Sequence, residues 1–190
     1  MVHKHDSITL PRYVSLGGAK LEFALEFFGI DVTDKLTADL GCNIGGFVDC
    51  LLQHGARKVF AIDTGYGVLA WRLRNHPHVT AMERQNALHI TLSEQVDLVT
   101  IDVAWTPQRL ILPKALTLCR PQGLILSLLK PQYEAQPDQR RKGIVYPDLC
   151  LQVVTEVIDD LRLRGIHVQS YVECPVRRSK SNVEYWLLIQ

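Results

Sequence analysis

The sequence predicts an α/β fold: a Rossmann-like, mostly parallel seven-stranded sheet with an antiparallel last strand and helices on both faces. Three observations carry this. Short apolar runs alternate with amphipathic stretches along the chain, the pattern of strands and crossover helices. Three of those runs close on an acid, Asp39, Asp63 and Asp102, and a fourth closes on Lys130; open parallel sheets collect their ligands beyond such strand ends. The stretch from Ile166 to Ile189 reads as two strands around a short basic connection, a hairpin that adds an antiparallel strand at one side. A chain of 190 residues suits one domain with a sizeable core rather than two.

Residues 1 to 12 show no periodicity and are expected to be an N-terminal tail, leaving 13 to 190 as the domain. Leu21, Ala24, Leu25 and Phe28 recur at helical spacing, and Gly29 supplies a stop. Glu22 and Glu26 fall on the wet side of that helix. Lys20 falls on the edge of the buried stripe, where it either snorkels to water or points at whatever the helix covers. Leu36 to Asp63 reads as strand, glycine turn, helix, strand, with Phe47, Val48, Leu51 and Leu52 inward and Gly55 closing the helix. Gly65-Tyr66-Gly67 leads into a short helix holding Leu69, Trp71 and Leu73, and Val79–Glu83 is an outer strand. Val96–Asp102 is the next strand, followed by a helix over 107–119, a turn at Pro121-Gln122-Gly123 and a buried strand Leu124–Leu129 that Pro131 stops. Residues 132–146 read as a polar loop. Pro147 and Asp148 open a helix with Cys150, Val153, Val154, Val157 and Leu161 inward and Gly165 at its end. This arrangement is the one expected of class I methyltransferases.

The turn Asp39-Leu40-Gly41-Cys42-Asn43-Ile44-Gly45-Gly46-Phe47 is the expected cofactor cradle. Its glycines let backbone N–H groups approach a ligand where a Cβ would collide, and Asp63 ends the second strand where a carboxylate accepts hydrogen bonds from ribose hydroxyls. The run is D-x-G-x-x-x-G-G rather than G-x-G-x-x-G, and an acid ahead of the first glycine repels phosphate. A cofactor with an amine and a sulfonium, S-adenosylmethionine, therefore fits better than NAD. Asn86, after the outer strand, could offer its amide to an adenine edge or simply form a turn.

Composition narrows the function classes. A net charge of +1 gives no global case for nucleic acid, so such binding must rest on local clusters: Arg140-Arg141-Lys142 and Arg177, Arg178 and Lys180. Each is either a phosphate contact or solvated surface. Five scattered cysteines without C-x-x-C spacing read as buried small side chains in a reducing compartment, and the seven histidines offer no metal-ligand pattern, so no metal is expected. No apolar run approaches the roughly 18 residues of a membrane span, and the first residues contain no signal core. A cytoplasmic protein without membrane association is expected.

Six ordered motifs resemble the FtsJ-like RNA ribose 2′-O-methyltransferases, in their hemolysin-A-like (TlyA-type) branch. They are Y-V-S-x-G-G-x-K-L (Tyr13 to Leu21), D-L-G-x-x-x-G-G-F (Asp39 to Phe47), A-I-D-x-G-Y-G-x-L-A-W (Ala61 to Trp71), V-D-L-V-T-I-D-V (Val96 to Val103), K-P-Q-Y-E (Lys130 to Glu134) and K-S-N-V-E-Y (Lys180 to Tyr185). The resemblance implies S-adenosylmethionine as cofactor, a ribose 2′-hydroxyl of RNA, with ribosomal RNA the expected substrate, as acceptor, and a catalytic tetrad of Lys20, Asp102, Lys130 and Glu184. A ribose hydroxyl is a poor nucleophile, so a base is required. Lys130 would serve if its pKa were depressed, with Lys20 as the neighbouring charge that lowers it and Asp102 and Glu184 as orienting groups. The family usually carries an N-terminal S4-like RNA-binding domain, and only about a dozen residues precede Tyr13 here; a separate RNA-binding partner could take its place. Leu16 replaces a usual arginine, and Ala104-Trp105 a usual Ser-Phe. Two other readings stand beside this one: a non-catalytic cofactor- or RNA-binding module, and a methyltransferase acting on a small molecule or protein.

Overall fold

The computed structural model describes residues 12–179 and 181–190. The expected tail, apart from Arg12, lies outside the described residues, and so does Lys180. The strands are β1 (Leu36–Leu40), β2 (Lys58–Asp63), β3 (Val79–Glu83), β4 (Val96–Ile101), β5 (Cys119–Leu129), β6 (Arg140–Arg141), β7 (Ile144–Val145), β8 (Val168–Glu173) and β9 (Tyr185–Ile189). Seven of them form one sheet in the order β3-β2-β1-β4-β5-β9-β8, while β6 and β7 make a separate two-stranded ribbon. Strands β3 through β5 pair in parallel; β9 runs antiparallel to both β5 and β8, with Leu129 and Glu173 each opposite Tyr185. The expected architecture is the one observed.

Helices α1 (Leu16–Phe28) and α2 (Gly46–Gln53) cover one face, α4 (Gln108–Leu118) and α6 (Cys150–Leu163) the other; α3 (Trp71–Arg74) and α5 (Pro131–Glu134) are single turns. Successive strand residues point to opposite faces, so each strand feeds two cores. Leu36, Ala38, Leu40, Phe60 and Ile62 pack with Ile111, Leu112, Val154 and Leu161. Val59, Ala61, Leu126, Leu128 and Trp186 pack with Leu21, Leu25, Val48 and Leu51. Each fully buried Leu or Ile is worth about 1.5–3 kcal/mol. A one-residue slip of β1 would exchange the two sets, so packing on both faces fixes its register. That register puts Asp39 beside Ala61 and Thr100, under α1 and α2.

Several elements differ from the sequence reading, each for a tertiary reason. Strand β5 starts at Cys119, because Pro121 to Gly123, read as a turn, continues the strand past an irregularity opposite Val96 and Leu98. The short helix shrinks to α3, with Leu69 buried ahead of it and Trp71 exposed. Residues 132–146 are ordered into α5, a 3-10 turn and the β6–β7 ribbon. On α6, Ile158 is buried and Val157 only partly so. Glu22 is not on a wet face but largely covered and paired with Arg12. Asp102 and Glu184 stand one residue outside their strands. All five cysteines are buried and free.

Candidate active site

Parallel strands β1, β2 and β4 all end at the same sheet edge, and the chain must turn sharply after each. Gly41 does so with φ +87, and a Cβ there would stand 2.7 Å from the Asp102 carbonyl oxygen. Only glycine lets the two strand ends close on each other. Beyond that edge lie two cavities, of about 340 and 400 Å³, that share Gly41, Asn43 and Asp102. The first is walled by Ser15, Gly17, Lys20, Asp39, Gly46, Phe47 and Glu184; the second by Asp63, Asn86, Ala104 and Trp105. An elongated ligand with two unlike ends fits such a pair.

The polar groups of the two cavities differ. Asp39 is 1% exposed; its Oδ1 accepts from the Thr100 hydroxyl at 2.8 Å, and its Oδ2 has no partner among the described residues. Burial pushes its pKa up to about 8, against the Thr100 hydrogen bond and with help from the nearby Asp102 and Asp63 charges. An orphaned, buried carboxylate oxygen is costly unless a cation arrives. A ligand ammonium would complete it. Asp63 Oδ2 accepts from Asn43 N–H at 2.8 Å and Oδ1 from Gly65 N–H at 2.7 Å, which orients the carboxylate and leaves further lone pairs for hydroxyl donors. Asn86 forms a turn, its Oδ1 accepting from Leu88 N–H at 2.9 Å, and the residue also lines the second cavity. An amine at one end and a vicinal diol at the other match S-adenosylmethionine, so the donor set fits that group.

Two lysine–carboxylate pairs stand at this edge. Lys130 Nζ lies 2.6 Å from Asp102 Oδ1, and Lys20 donates to Glu184 Oε2; the four side chains are 14–25% exposed. Lys20 therefore neither snorkels nor sets the charge of Lys130. Burial works to lower the Lys130 pKa, but Asp102 and then Glu184 outweigh it and leave the pKa above the ordinary lysine value. The expected depression is not observed, because each ammonium faces an anion rather than the other ammonium.

Of the expected phosphate contacts, Arg141, Lys142, Arg177 and Arg178 are exposed, and the last two line the first cavity. Arg140 is half-buried and donates to the Gln132 carbonyl, which makes it a brace. Sequence reasoning gave no role to three features near the site. Trp105, 81% exposed and held at φ +61, packs on Tyr133 with ring centroids 4.9 Å apart. Glu134 accepts from the Gln108 N–H at 2.7 Å and so seats the start of α4. Buried Asp49 accepts from Val14 N–H at 2.8 Å and pairs with Arg72 at 2.6 Å, tying the entry to α1 onto α2 and α3. The one available signal was a tryptophan three residues after a strand-end acid; the other two depend on contacts between distant segments.

Comparison with known proteins adds to this geometry. A family model described as FtsJ-like methyltransferase matches residues 13–190. YqxC of Bacillus subtilis (strain 168) is 39% identical over 182 residues, 93% of this chain and 65% of its own length. The 16S/23S rRNA (cytidine-2′-O)-methyltransferase TlyA of Mycobacterium tuberculosis is 37% identical over 183 residues, 94% of this chain and 68% of its own. Thus this chain spans about two thirds of the length of these relatives. A solved structure from Streptococcus thermophilus, named a hemolysin, superposes with a TM-score of 0.88 at 34% identity, covering 95% of this chain and 67% of that one. Aeropyrum pernix fibrillarin, solved with S-adenosyl-L-methionine bound, shares the fold at a TM-score of 0.63 and 16% identity, over 92% of this chain and 76% of that one.

Proposed function

Since this chain belongs to the FtsJ-like methyltransferase family, we propose that it transfers a methyl group from S-adenosylmethionine to a ribose 2′-hydroxyl of RNA, with ribosomal RNA as the substrate. The observation that carries the proposal is that Lys20, Glu184 and Asp102 line one cavity and that Lys130 pairs with Asp102 beside it. The M. tuberculosis relative is named for ribose methylation of rRNA. A ribosomal substrate supports a cytoplasmic location; separately, among the described residues no helix is long and apolar enough to cross a membrane.

S-adenosylmethionine supplies an electrophilic methyl group when bound. Asp39 is the residue for its ammonium and Asp63 for its ribose hydroxyls, with Gly41, Asn43, Gly45, Gly46, Phe47 and Asn86 shaping the walls. Asp102 holds Lys130 at the mouth. Lys130, in the fraction that has lost its proton, accepts the hydrogen of the substrate hydroxyl, and Lys20 with Glu184 holds the nucleotide in line. Alignment of oxygen with the methyl carbon supplies most of the remaining acceleration. Arg141, Lys142, Arg177 and Arg178 contact phosphates.

The test is transfer of labelled methyl from the cofactor to ribosomal subunits and to naked rRNA. The expected product carries label on a 2′-oxygen, which makes the adjacent phosphodiester resistant to alkali, and Lys130→Ala abolishes it. Cofactor binding without transfer to any RNA would overturn the proposal in favour of a binding module.

A further inference from the structure

Two basic segments flank the site, and one side chain joins them. The β6–β7 ribbon turns through Lys142 (φ +51) and Gly143 (φ +78), both in the left-handed region, which gives the tight twisted turn of a two-residue hairpin. Its root is anchored: Val145 is buried in the core, and Arg140 is bound to the Gln132 carbonyl. Its tip carries exposed Arg141 and Lys142. On the outer edge of β7, the Gly143 carbonyl accepts from Asn182 Nδ2 at 2.9 Å, and the Val145 N–H donates to Asn182 Oδ1 at 3.0 Å. The carboxamide thus takes the place of a third strand, offering one donor and one acceptor to an edge that presents one of each. Asn182 belongs to the loop ahead of β9 that also holds Arg177, Arg178 and Glu184, and the Glu184 carbonyl is tied to Cys174 N–H at 2.8 Å.

We propose that Asn182 is a positioning residue that latches the β6–β7 hairpin to the loop ahead of β9, so that Arg141 and Lys142 join Arg177 and Arg178 in one phosphate-binding rim around the Lys20–Glu184 end of the cavity. This rests on RNA being the substrate. With the latch open, the hairpin tip pivots on its anchored root and its two cations leave the rim, while the cofactor cradle, built from other segments, is untouched.

The experiment is a coupling cycle on the full chain with ribosomal RNA as substrate, read with amide exchange. Loss of a two-bond latch is expected to raise the RNA KM of Asn182→Ala roughly five- to tenfold, with kcat and S-adenosylmethionine affinity unchanged. Arg141→Ala/Lys142→Ala raises KM as well and reduces the salt slope of RNA binding by about two. Adding Asn182→Ala to that background should raise KM no further, and the Val145 amide should exchange faster in Asn182→Ala. Asn182→Asp keeps an acceptor for the Val145 N–H but sets a carboxylate oxygen against the Gly143 carbonyl, so it should raise KM too, by less than Asn182→Ala does. Additive effects, a loss of cofactor affinity, or unchanged Val145 exchange would overturn the latch. A wild-type protein that methylates no RNA would instead defeat the functional reading and with it the rim, while Val145 exchange would still decide the latch itself.

Discussion

Lys130 Nζ and Asp102 Oδ1 lie 2.6 Å apart, and this contact reverses the protonation balance that burial alone would impose on the lysine. If Lys130 is the base, the active fraction is the minority that is neutral, so methyl transfer should rise about tenfold per pH unit from 7 upward. The rise should continue past the ordinary lysine value of about 10.4, because the folded pKa lies above it. In Asp102→Asn the anion is gone and burial dominates, so the profile should level off at lower pH even as the overall rate falls. A wild-type rate that is flat from pH 7 to 9 would exclude Lys130 from the role. The same ion pair affects stability: its contribution is complete below the unfolded lysine pKa and is lost as pH rises through the higher folded one.

Asp39 sets a different pH dependence. Its folded pKa, pushed up to about 8 by burial, exceeds the unfolded value of about 3.9. The native state therefore binds the extra proton, and the Asp39 contribution to stability, full below about pH 4, is lost progressively as pH rises to about 8. Asp39→Asn should flatten this part of the curve and raise the urea midpoint at pH 8. It should also weaken S-adenosylmethionine ten- to a hundredfold, the worth of a charge-assisted hydrogen bond of about 1.5–3 kcal/mol. Calorimetry on the wild type in buffers of different ionisation enthalpy should show a proton released on cofactor binding below pH 8. Stabilisation without loss of affinity would mean that Asp39 does not meet the ammonium.

Much of this was legible before the fold was known. Acids closing apolar runs marked Asp39, Asp63 and Asp102 as neighbours, because parallel strands that begin together end together. Lys20 was legible as an odd residue at the edge of a helix stripe, but its partner was not, since Glu184 reaches it through the antiparallel return of β9. The sign of the Lys130 shift was out of reach for the same reason: it depends on which charge stands nearer, and spacing along a chain does not say that. Trp105 lies in the loop after β4 and Tyr133 in α5, and only the closing of β4 against β5 makes them touch.

Trp105 is exposed, strained at φ +61 and supported from behind by Tyr133, beside Asp102. An aromatic in that state is poorly explained by packing and well suited to stack on a base. Trp105→Ala should leave the melting temperature and cofactor affinity nearly unchanged and reduce kcat/KM for RNA by roughly five- to a hundredfold, the range of about 1–3 kcal/mol for a stacked base. Trp105→Phe should retain most activity. If Trp105→Ala instead lowers cofactor affinity and leaves RNA turnover intact, the ring covers the adenine end of the cavity and not the acceptor nucleotide.

The Lys20–Glu184 pair links α1 to the start of β9 with both side chains about 85% covered, on 15% and 14% exposure. Removing either partner strands the other charge in a poorly solvated place, which costs about 3 kcal/mol in comparable buried pairs. Lys20→Met and Glu184→Gln should each lower the urea midpoint, and the double variant should recover part of the loss, since two neutral groups leave no orphaned charge. Activity should not recover with it: if the pair also holds the nucleotide, as proposed, the double variant should stay as inactive as either single one. Equilibrium unfolding and single-turnover methylation on the same three proteins separate the two roles. If activity returned together with stability, the pair would be structural, and the positioning of the acceptor hydroxyl would fall to Lys130 and Asp102 alone.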